Sequence, residues 1–398
     1  VTLTATDLAG NTTTQTLTVT VANVDDTPAE AFTANVQDIR EVLVDDATRS
    51  LRNTVSVNRN MVQSARDRFS DDMRQSAACG RDDQTEQEGQ ASTERAEVCT
   101  DAVASRNDIP FDVDGTFSLS GGTLSTNGTF FGQNGSADGT WRRLFFGDFN
   151  VQRDSDTGSN TAALSARIAW EQMTSNVTML GYFIGAERGD SDLKGSFTGD
   201  QKRVALTLGG YAVHQLAEQV YLDGFLTLGA GSNNLTMAND VLALESDYTT
   251  QTATLGAAVS GIYEYEAYEF HPELSFSYGQ TWIGNVGFTG KAYGLVDNTL
   301  SLDAGNVSMA NLIFRPEVIW GLDAATVADS NSQLSFAPRI ICEQTRSIRR
   351  TKDCGGGAEL GLGTQSDDGL TNGKFSVMMD RVGSSERTSY AINLEHRF

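Results

Sequence analysis

The sequence predicts a mainly β protein: a twelve-stranded antiparallel transmembrane β-barrel over residues 141–398, preceded by a long polar α-helix and a short pair of strands. Three observations predict it. Twelve segments after Trp141 alternate apolar and polar residues with period two. The last of them ends the sequence on an aromatic residue, Phe398. Glycine is abundant (39) and proline scarce (5), the balance of long strands joined by tight turns.

The overall balance narrows the function. With 29 Lys+Arg against 52 Asp+Glu the net charge is −23, which argues against a nucleic-acid partner, since phosphate binding needs a basic footprint. An apolar content of 39% is too high for a disordered acidic chain. No apolar run of 18 residues is present, so no transmembrane helix is expected. The sequence begins at Val1, inside a strand-like pattern and without a charged and apolar leader, and is read as the C-terminal piece of a longer chain.

Residues 1–26 read as a strand pair. Leu3 and Ala5, then Leu17, Val19 and Val21, alternate with polar residues around an Asp7-Leu8-Ala9-Gly10-Asn11 turn. Two such strands cannot bury a core of their own. The segment resembles the last two strands of bacterial immunoglobulin-like repeats, which carry a similar D-x-A-G-N hairpin.

Residues 27–80 read as a helix. Thr27-Pro28-Ala29-Glu30 fits a capping box with proline at the first helical position. Phe32, Val36, Ile39, Leu43, Ala47, Leu51, Val55, Val62, Ala65, Phe69 and Met73 then form one narrow apolar stripe on a polar surface. A break is expected at Asn53–Asn58, which is rich in β-branched, Asn and Ser residues. Two readings stay open: a coiled-coil stalk, or a helix packed inside a polar, water-filled tube.

Residues 81–140 are the least legible. A polar acidic stretch reads as a loop, and Phe111 to Phe131 holds short Gly-separated pieces that could be a hairpin, a plug or two more wall strands. The four cysteines fall into sequence-local pairs, Cys79 with Cys99 and Cys342 with Cys354. Of the three possible pairings the local one is the most economical, and it suits an oxidising compartment.

The barrel segments lie near 141–152, 160–172, 176–188, 201–214, 219–232, 249–264, 267–283, 306–321, 332–343, 356–365, 373–382 and 387–398. One face is apolar with aromatic ends. The other is polar, and Arg143, Arg167, Glu171, Arg203, Glu273, Arg315, Glu317, Arg339 and Glu395 are expected to line the lumen. Gly231–Tyr248 and Gly284–Gly305 read as long external loops, alternating with short turns such as Thr174-Ser175 and Glu266-Ala267. Lipid offers backbone groups no hydrogen-bond partner, so such a sheet must close. Between Cys342 and Cys354 a loop is expected to hold Arg346, Arg349, Arg350 and Lys352, a basic cluster in an acidic chain.

In the last strand Tyr390, Ile392, Leu394 and Phe398 share a face. This resembles the C-terminal insertion signal of bacterial outer-membrane proteins and implies that the barrel-assembly machinery is a partner. The order of strand pair, polar helix and alternating strands ending in Phe resembles the monomeric autotransporters from about Pro28 to Phe398. The resemblance implies a barrel in the bacterial outer membrane, in contact with lipid and lipopolysaccharide, with a helix through the pore and an adhesin-like passenger held at the cell surface. A monomer is expected, its own passenger segment being a further partner. The alternative is an outer-membrane channel or receptor with a periplasmic N-terminal module. Some members of that family cut the passenger at an Asn pair in the helix; Asn53, Asn58 and Asn60 are not adjacent, so no such cleavage is expected.

No enzyme, cofactor or metal site is expected. The histidines His214, His271 and His396 are scattered. Asp154–Ser159 has glycine at the fifth position of a calcium-type loop and lacks the distal Glu. Gly355-Gly356-Gly357 has no Lys-Ser/Thr after it and reads as a place of close strand approach. Arg188-Gly189-Asp190-Ser191 spells a cell-attachment tripeptide in a predicted external loop, a match so short that chance supplies it.

Overall fold

The computed structural model describes residues 2–16, 26–80, 110–120, 123–135, 141–154, 159–323, 327, 330–366, 371–383 and 385–397. It opens with a hairpin of β1 (Thr2–Thr6) and β2 (Thr12–Thr16). The turn is closed by Asp7, whose carboxylate accepts from the Ala9 and Asn11 backbone N–H groups (2.9 Å each) and from the Asn11 side-chain amide (3.0 Å). That amide, more than the backbone donors, holds the Asp7 carboxyl below its usual pKa.

Helix α1 (Pro28–Ala34) is capped by Thr27, whose hydroxyl accepts from Glu30 N–H, with Pro28 in the first turn. Helix α2 (Val36–Gly80) follows without interruption for 45 residues, about 68 Å. The expected break at Asn53–Asn58 is therefore corrected. The break lies at Asn35, whose side chain donates to Ala31 O and accepts from Asn239. Tertiary contacts override local propensity at Asn58, as described below.

The wall comprises β3 (Pro110–Ser120), β4 (Thr123–Gly135), β5 (Trp141–Asp154), β6 (Asn160–Ser175), β7 (Thr178–Leu193), β8 (Thr198–Ala217), β9 (Val220–Ala238) and β10 (Ala243–Gly261). The two-residue β11 (Tyr263–Glu264) follows, then β12 (Tyr268–Ala292), β13 (Leu295–Gly321), β14 (Ser332–Arg346), β15 (Arg350–Gln365), β16 (Thr371–Val382) and β17 (Ser385–Arg397). Each long strand pairs antiparallel with the next, β10 pairs with β12, and β17 pairs with β3. The pairings thus return to their start. Among the described residues this ring has fourteen long strands, and β11 is an appendage of β12.

Three expectations are corrected here. The wall has fourteen strands rather than twelve and begins at Pro110 rather than Trp141, because the Gly-rich segment around Phe111–Phe131 forms β3 and β4. The supposed loops Gly231–Tyr248 and Gly284–Gly305 are mostly paired strand, so β12 and β13 run to 25 and 27 residues. Arg188-Gly189-Asp190 lies in β7, paired with β6 and β8, instead of in a loop.

Strand direction defines two ends. Pro110 and Arg397 are register partners at what we call the near end, where the turns at 176–177, 218–219 and 262–267 also lie. The opposite, far end holds the hairpin tips at 239–242, 293–294 and 347–349. Leu164, Ile184, Val204, Leu206, Leu208, Leu226, Phe276, Leu312, Ile340, Leu360 and Ile392 all point out of the ring and are exposed. Stacked Trp170–Tyr182 and Tyr265–Tyr268 pairs mark the near rim. An apolar outer belt with aromatic edges, around a ring whose inner residues are polar or packed, is the inverse of a soluble barrel and fits hydrocarbon outside.

Gly355 and Gly357 in β15 permit close strand approach: a Cβ at Gly357 would lie 2.2 Å from Met379 O of β16.

Candidate functional site: the lumen and its helix

Helix α2 runs through the ring. At the far end Phe32 of α1 packs on Phe288 of β12 (5.5 Å between rings), and at the near end Phe69 packs edge-on against Tyr221 of β9 (6.2 Å). The helix therefore runs from the far end to the near end. Its apolar stripe forms two clusters. Ile39, Leu43, Ala47 and Leu51 meet Leu242, Leu244, Val286 and Val307 toward the far end. Met61, Val62, Ala65 and Phe69 meet Leu144, Met179, Tyr211 and Phe225 toward the near end.

A polar waist begins between these clusters, at Asn58 and Arg59, and runs alongside the near-end cluster through Arg66 and Arg68. Asn58 is fully buried; its amide donates to Thr227 (3.0 Å) and Thr254 (2.9 Å), and its carbonyl accepts from Arg167 (2.9 Å). Arg59 bridges Asp223 (2.9 Å) and Glu273 (2.5 Å). Arg66 donates to Glu273 (2.7 Å) and lies 3.5 Å from Asp223. Arg68 pairs with Glu171 (2.6 Å), which also accepts from Tyr211 (2.8 Å), and the guanidinium lies over the Phe131 ring. Farther along, Gln201 donates to Asp46 (2.8 Å) and to Tyr248 (2.8 Å), and Arg203 donates to Ser50. A charge taken from water needs a partner, and wall and helix supply one to each of these charges, although Arg68 Nε, Glu171 Oε2 and Asp223 Oδ2 make no hydrogen bond among the described residues.

Further ion pairs lie in the rest of the lumen. Arg315 meets Glu317 (2.9 Å) and Glu359 (3.2 Å), Lys374 meets Glu317 (3.2 Å), Arg339 meets Asp380 (3.4 Å) and Arg387 meets Glu343 through two bonds (2.5 and 2.6 Å). A polar cavity of about 540 Å³ lies beside α2, lined by Asp46, Arg49, Arg52 and Asn53 of the helix and by Glu187, Arg203, Glu343 and Arg387 of the wall.

Of the expected lumen residues, Arg167, Glu171, Arg203, Glu273, Arg315, Glu317 and Arg339 lie on the inner face; four of them contact α2 directly. Arg143 is a correction. It is exposed, on the outer face between Trp141 and Phe145, while its neighbour Leu144 is fully buried inside. At the near rim a long cation can lie along apolar surface and place its head in water, so charge alone does not mark the lumen there. The Glu395 side chain and Phe398 lie outside the described residues. Tyr390, Ile392 and Leu394 share the outer face of β17 and are exposed.

Cys342 and Cys354 are bonded. They are register partners within β14 and β15, so the expected loop of residues 343–353 is corrected to a paired hairpin with its tip at 347–349. The Cys79 side chain and Cys99 lie outside the described residues, as does most of the Asp154–Ser159 loop. No cluster of metal-ligating side chains occurs among the described residues. His214 and His271 sit apart, beside Thr178 and Glu269.

Sequence reasoning did not single out Arg59, Arg66, Arg68 or Asp223, and it read Asn58 only as part of a helix break and as an Asn without an adjacent partner. A signal existed: Asn58 interrupts the apolar stripe, Arg59 and Arg66 are two helical turns apart, and Asp223 alternates with outward Leu222.

Gly279 on the inner face of β12 lies where the helix approaches the wall closely. A Cβ there would lie 2.7 Å from Leu51 Cδ1 and 3.0 Å from Val55 Cγ2. One methyl could be met by rotation of Leu51, but an isobutyl group could not. Gly279→Leu should cost about 1–3 kcal/mol through overpacking. It should raise conductance in planar bilayers while the heat-dependent shift in gel mobility persists; unchanged conductance would show that α2 tolerates displacement there.

The fold and the site define a class: a transmembrane-type β-barrel with a helix through its lumen. No protein-family model matches the chain, and no curated protein matches it. Among solved structures it is similar to the translocator domain of the autotransporter NalP from Neisseria meningitidis (15% identity, 81% of this chain and 98% of that one, TM-score 0.42). It is similar to the β domain of the Bordetella autotransporter BrkA (16%, 73% and 100%, 0.42), and likewise to the toluene transporter TodX of Pseudomonas putida (11%, 72% and 87%, 0.41). Translocators and channels both appear, so the role has to be read from this chain's own geometry.

Proposed function

We propose that the chain is an outer-membrane translocator and anchor, without enzymatic activity, that exports an adhesin-like N-terminal passenger and holds it at the cell surface. One observation carries this reading: α2 threads the ring, so residues preceding Pro28 join it at the far end while both barrel termini lie at the near end. In barrels of this kind the short turns face the periplasm and the longer excursions face outside. The β12–β13 hairpin is the tallest excursion and rises at the far end, so we read that end as external, against the ten-residue connection 322–331 at the near end. On this reading the β1–β2 hairpin is the close of an immunoglobulin-like surface repeat. The outer face of β17, with Tyr390, Ile392 and Leu394, is what the barrel-assembly machinery would pair with and recognise.

The second reading, a diffusion channel or receptor with a periplasmic N-terminal module, draws support from the 540 Å³ polar cavity beside α2. Protease treatment of intact cells separates the two. An epitope tag fused ahead of Val1 should be removed from the surface while the barrel stays in the membrane. A tag protected until the outer membrane is permeabilised would sink the translocator reading.

A further inference from the structure

The outer face of the β14–β15 hairpin reads as an ordered column of register pairs. From near end to far end it runs Leu334–Leu362, Phe336–Leu360, Pro338–Ala358, Ile340–Gly356, then the bonded Cys342–Cys354. Immediately beyond stand Gln344–Lys352 and Arg346–Arg350. The apolar rungs span eight residues, roughly 27 Å along the strand and about 20 Å once tilted, close to the height of a lipid-facing belt. The cations thus begin where the hydrocarbon ends.

Their arrangement is unfavourable by itself. Arg346 and Arg350 are directly opposite each other on one face, and like charges so placed repel. Lys352 is one rung away, about 7 Å. All three side chains are exposed, and none forms an ion pair among the described residues; Arg350 donates only to Gln344 (3.2 Å). Elsewhere on the far-end outer wall both signs occur: Asp190 lies opposite Lys202, and Lys291 pairs with Glu245 (3.1 Å). The cluster is therefore local, and it stands out in a chain of net charge −23. The disulfide bond one rung below ties the two strands that carry it.

We propose that Arg346, Arg350 and Lys352 form a binding site for the phosphate groups of a bis-phosphorylated glycolipid of the outer leaflet, whose acyl chains lie along the far half of the column, past the Cys342–Cys354 bond and over Ile340 and Pro338. Phosphate is the partner because clustered guanidinium groups pair with it in bidentate fashion, and a lipid is the carrier because the cations border an apolar surface. The inference rests on the far end facing outward. Binding in detergent is read without reference to that orientation, and surface proteolysis tests the orientation separately.

The test is native mass spectrometry of the detergent-solubilised chain titrated with diphosphoryl lipid A, monophosphoryl lipid A or phosphatidylglycerol. Diphosphoryl lipid A should bind tightest. The R346S/R350S/K352S variant should bind it about a hundredfold more weakly, while K202S on the opposite wall should not differ from wild type. R346K/R350K, which keeps the charge but loses the bidentate fork, should bind more weakly than the wild type and more tightly than the triple variant. Equal binding by wild type and the triple variant would overturn the site, and phosphatidylglycerol binding as tightly as diphosphoryl lipid A would overturn the glycolipid. If the triple variant fails to fold, the wild-type preference for two phosphates over one decides, and its absence overturns the proposal.

Discussion

Replacing Arg59 and Arg66 together with leucine should release α2 from the lumen and raise single-channel conductance several-fold over the wild type in planar bilayers. The two arginines are the cations that face Asp223 and Glu273, whose side chains are 0% and 8% exposed. Removing them leaves two carboxylates stranded against the helix. Breaking a buried pair from one side costs about 3–5 kcal/mol, more than the added leucines recover beside charged oxygens. With the helix outside, both carboxylates regain water, so the open state is the cheaper one. Adding Asp223→Asn and Glu273→Gln to the same variant should return conductance toward the wild-type level. Unchanged conductance in the double arginine variant would mean that the apolar clusters alone hold the helix.

Leu206→Arg should be nearly as damaging, for the opposite reason. Leu206 lies midway along β8, 63% exposed and flanked on the outer face by Val204 and Leu208. In a water-soluble barrel an exposed Leu→Arg change would fall within about 0.5 kcal/mol. In a lipid-facing belt the same change costs about 2–4 kcal/mol at the midplane. Urea titration of the barrel refolded into phosphatidylcholine vesicles distinguishes the cases. A midpoint equal to that of the wild type would argue that this face does not meet hydrocarbon.

These two substitutions fall on opposite sides of what the sequence made legible. The outer belt could be read because lipid imposes period-two alternation on every strand that crosses it; Leu164 to Trp170 and Val204 to Leu208 carry that pattern, with only the small Ala169 and Ala205 apolar on the inner face. Where strands leave the belt the constraint lapses, which is why the far parts of β9, β10, β12 and β13 read as loops although they stay paired. In β3, Phe111, Val113, Phe117 and Leu119 alternate with polar residues and are interrupted only at Gly115, whereas β4, with three glycines and adjacent Phe130 and Phe131, breaks the alternation and hid the pair. The apolar stripe of α2 was legible, and a lumenal position was one of its two open readings. Its polar contacts were not, because each partner lies more than a hundred residues away: Asn58 with Thr254, Arg59 with Asp223, Arg68 with Glu171. The expected break near Asn58 failed for the same reason. Residues that disfavour a helix in isolation are there held helical by the wall.

The polar waist also has a mechanical meaning. A helix with an unbroken apolar stripe could slide or turn within a smooth tube at little cost. Asn58, Arg59 and Arg66 instead have matched wall partners at one depth only, and a shift of a single residue, 1.5 Å of travel and 100° of rotation, unmatches all of them together. A pull on the chain ahead of Pro28 is directed along the axis of α2, so it loads these contacts in shear and in parallel rather than peeling them one by one. A tether built this way gives little under moderate tension and then lets go abruptly, which is the behaviour of a latch rather than a spring.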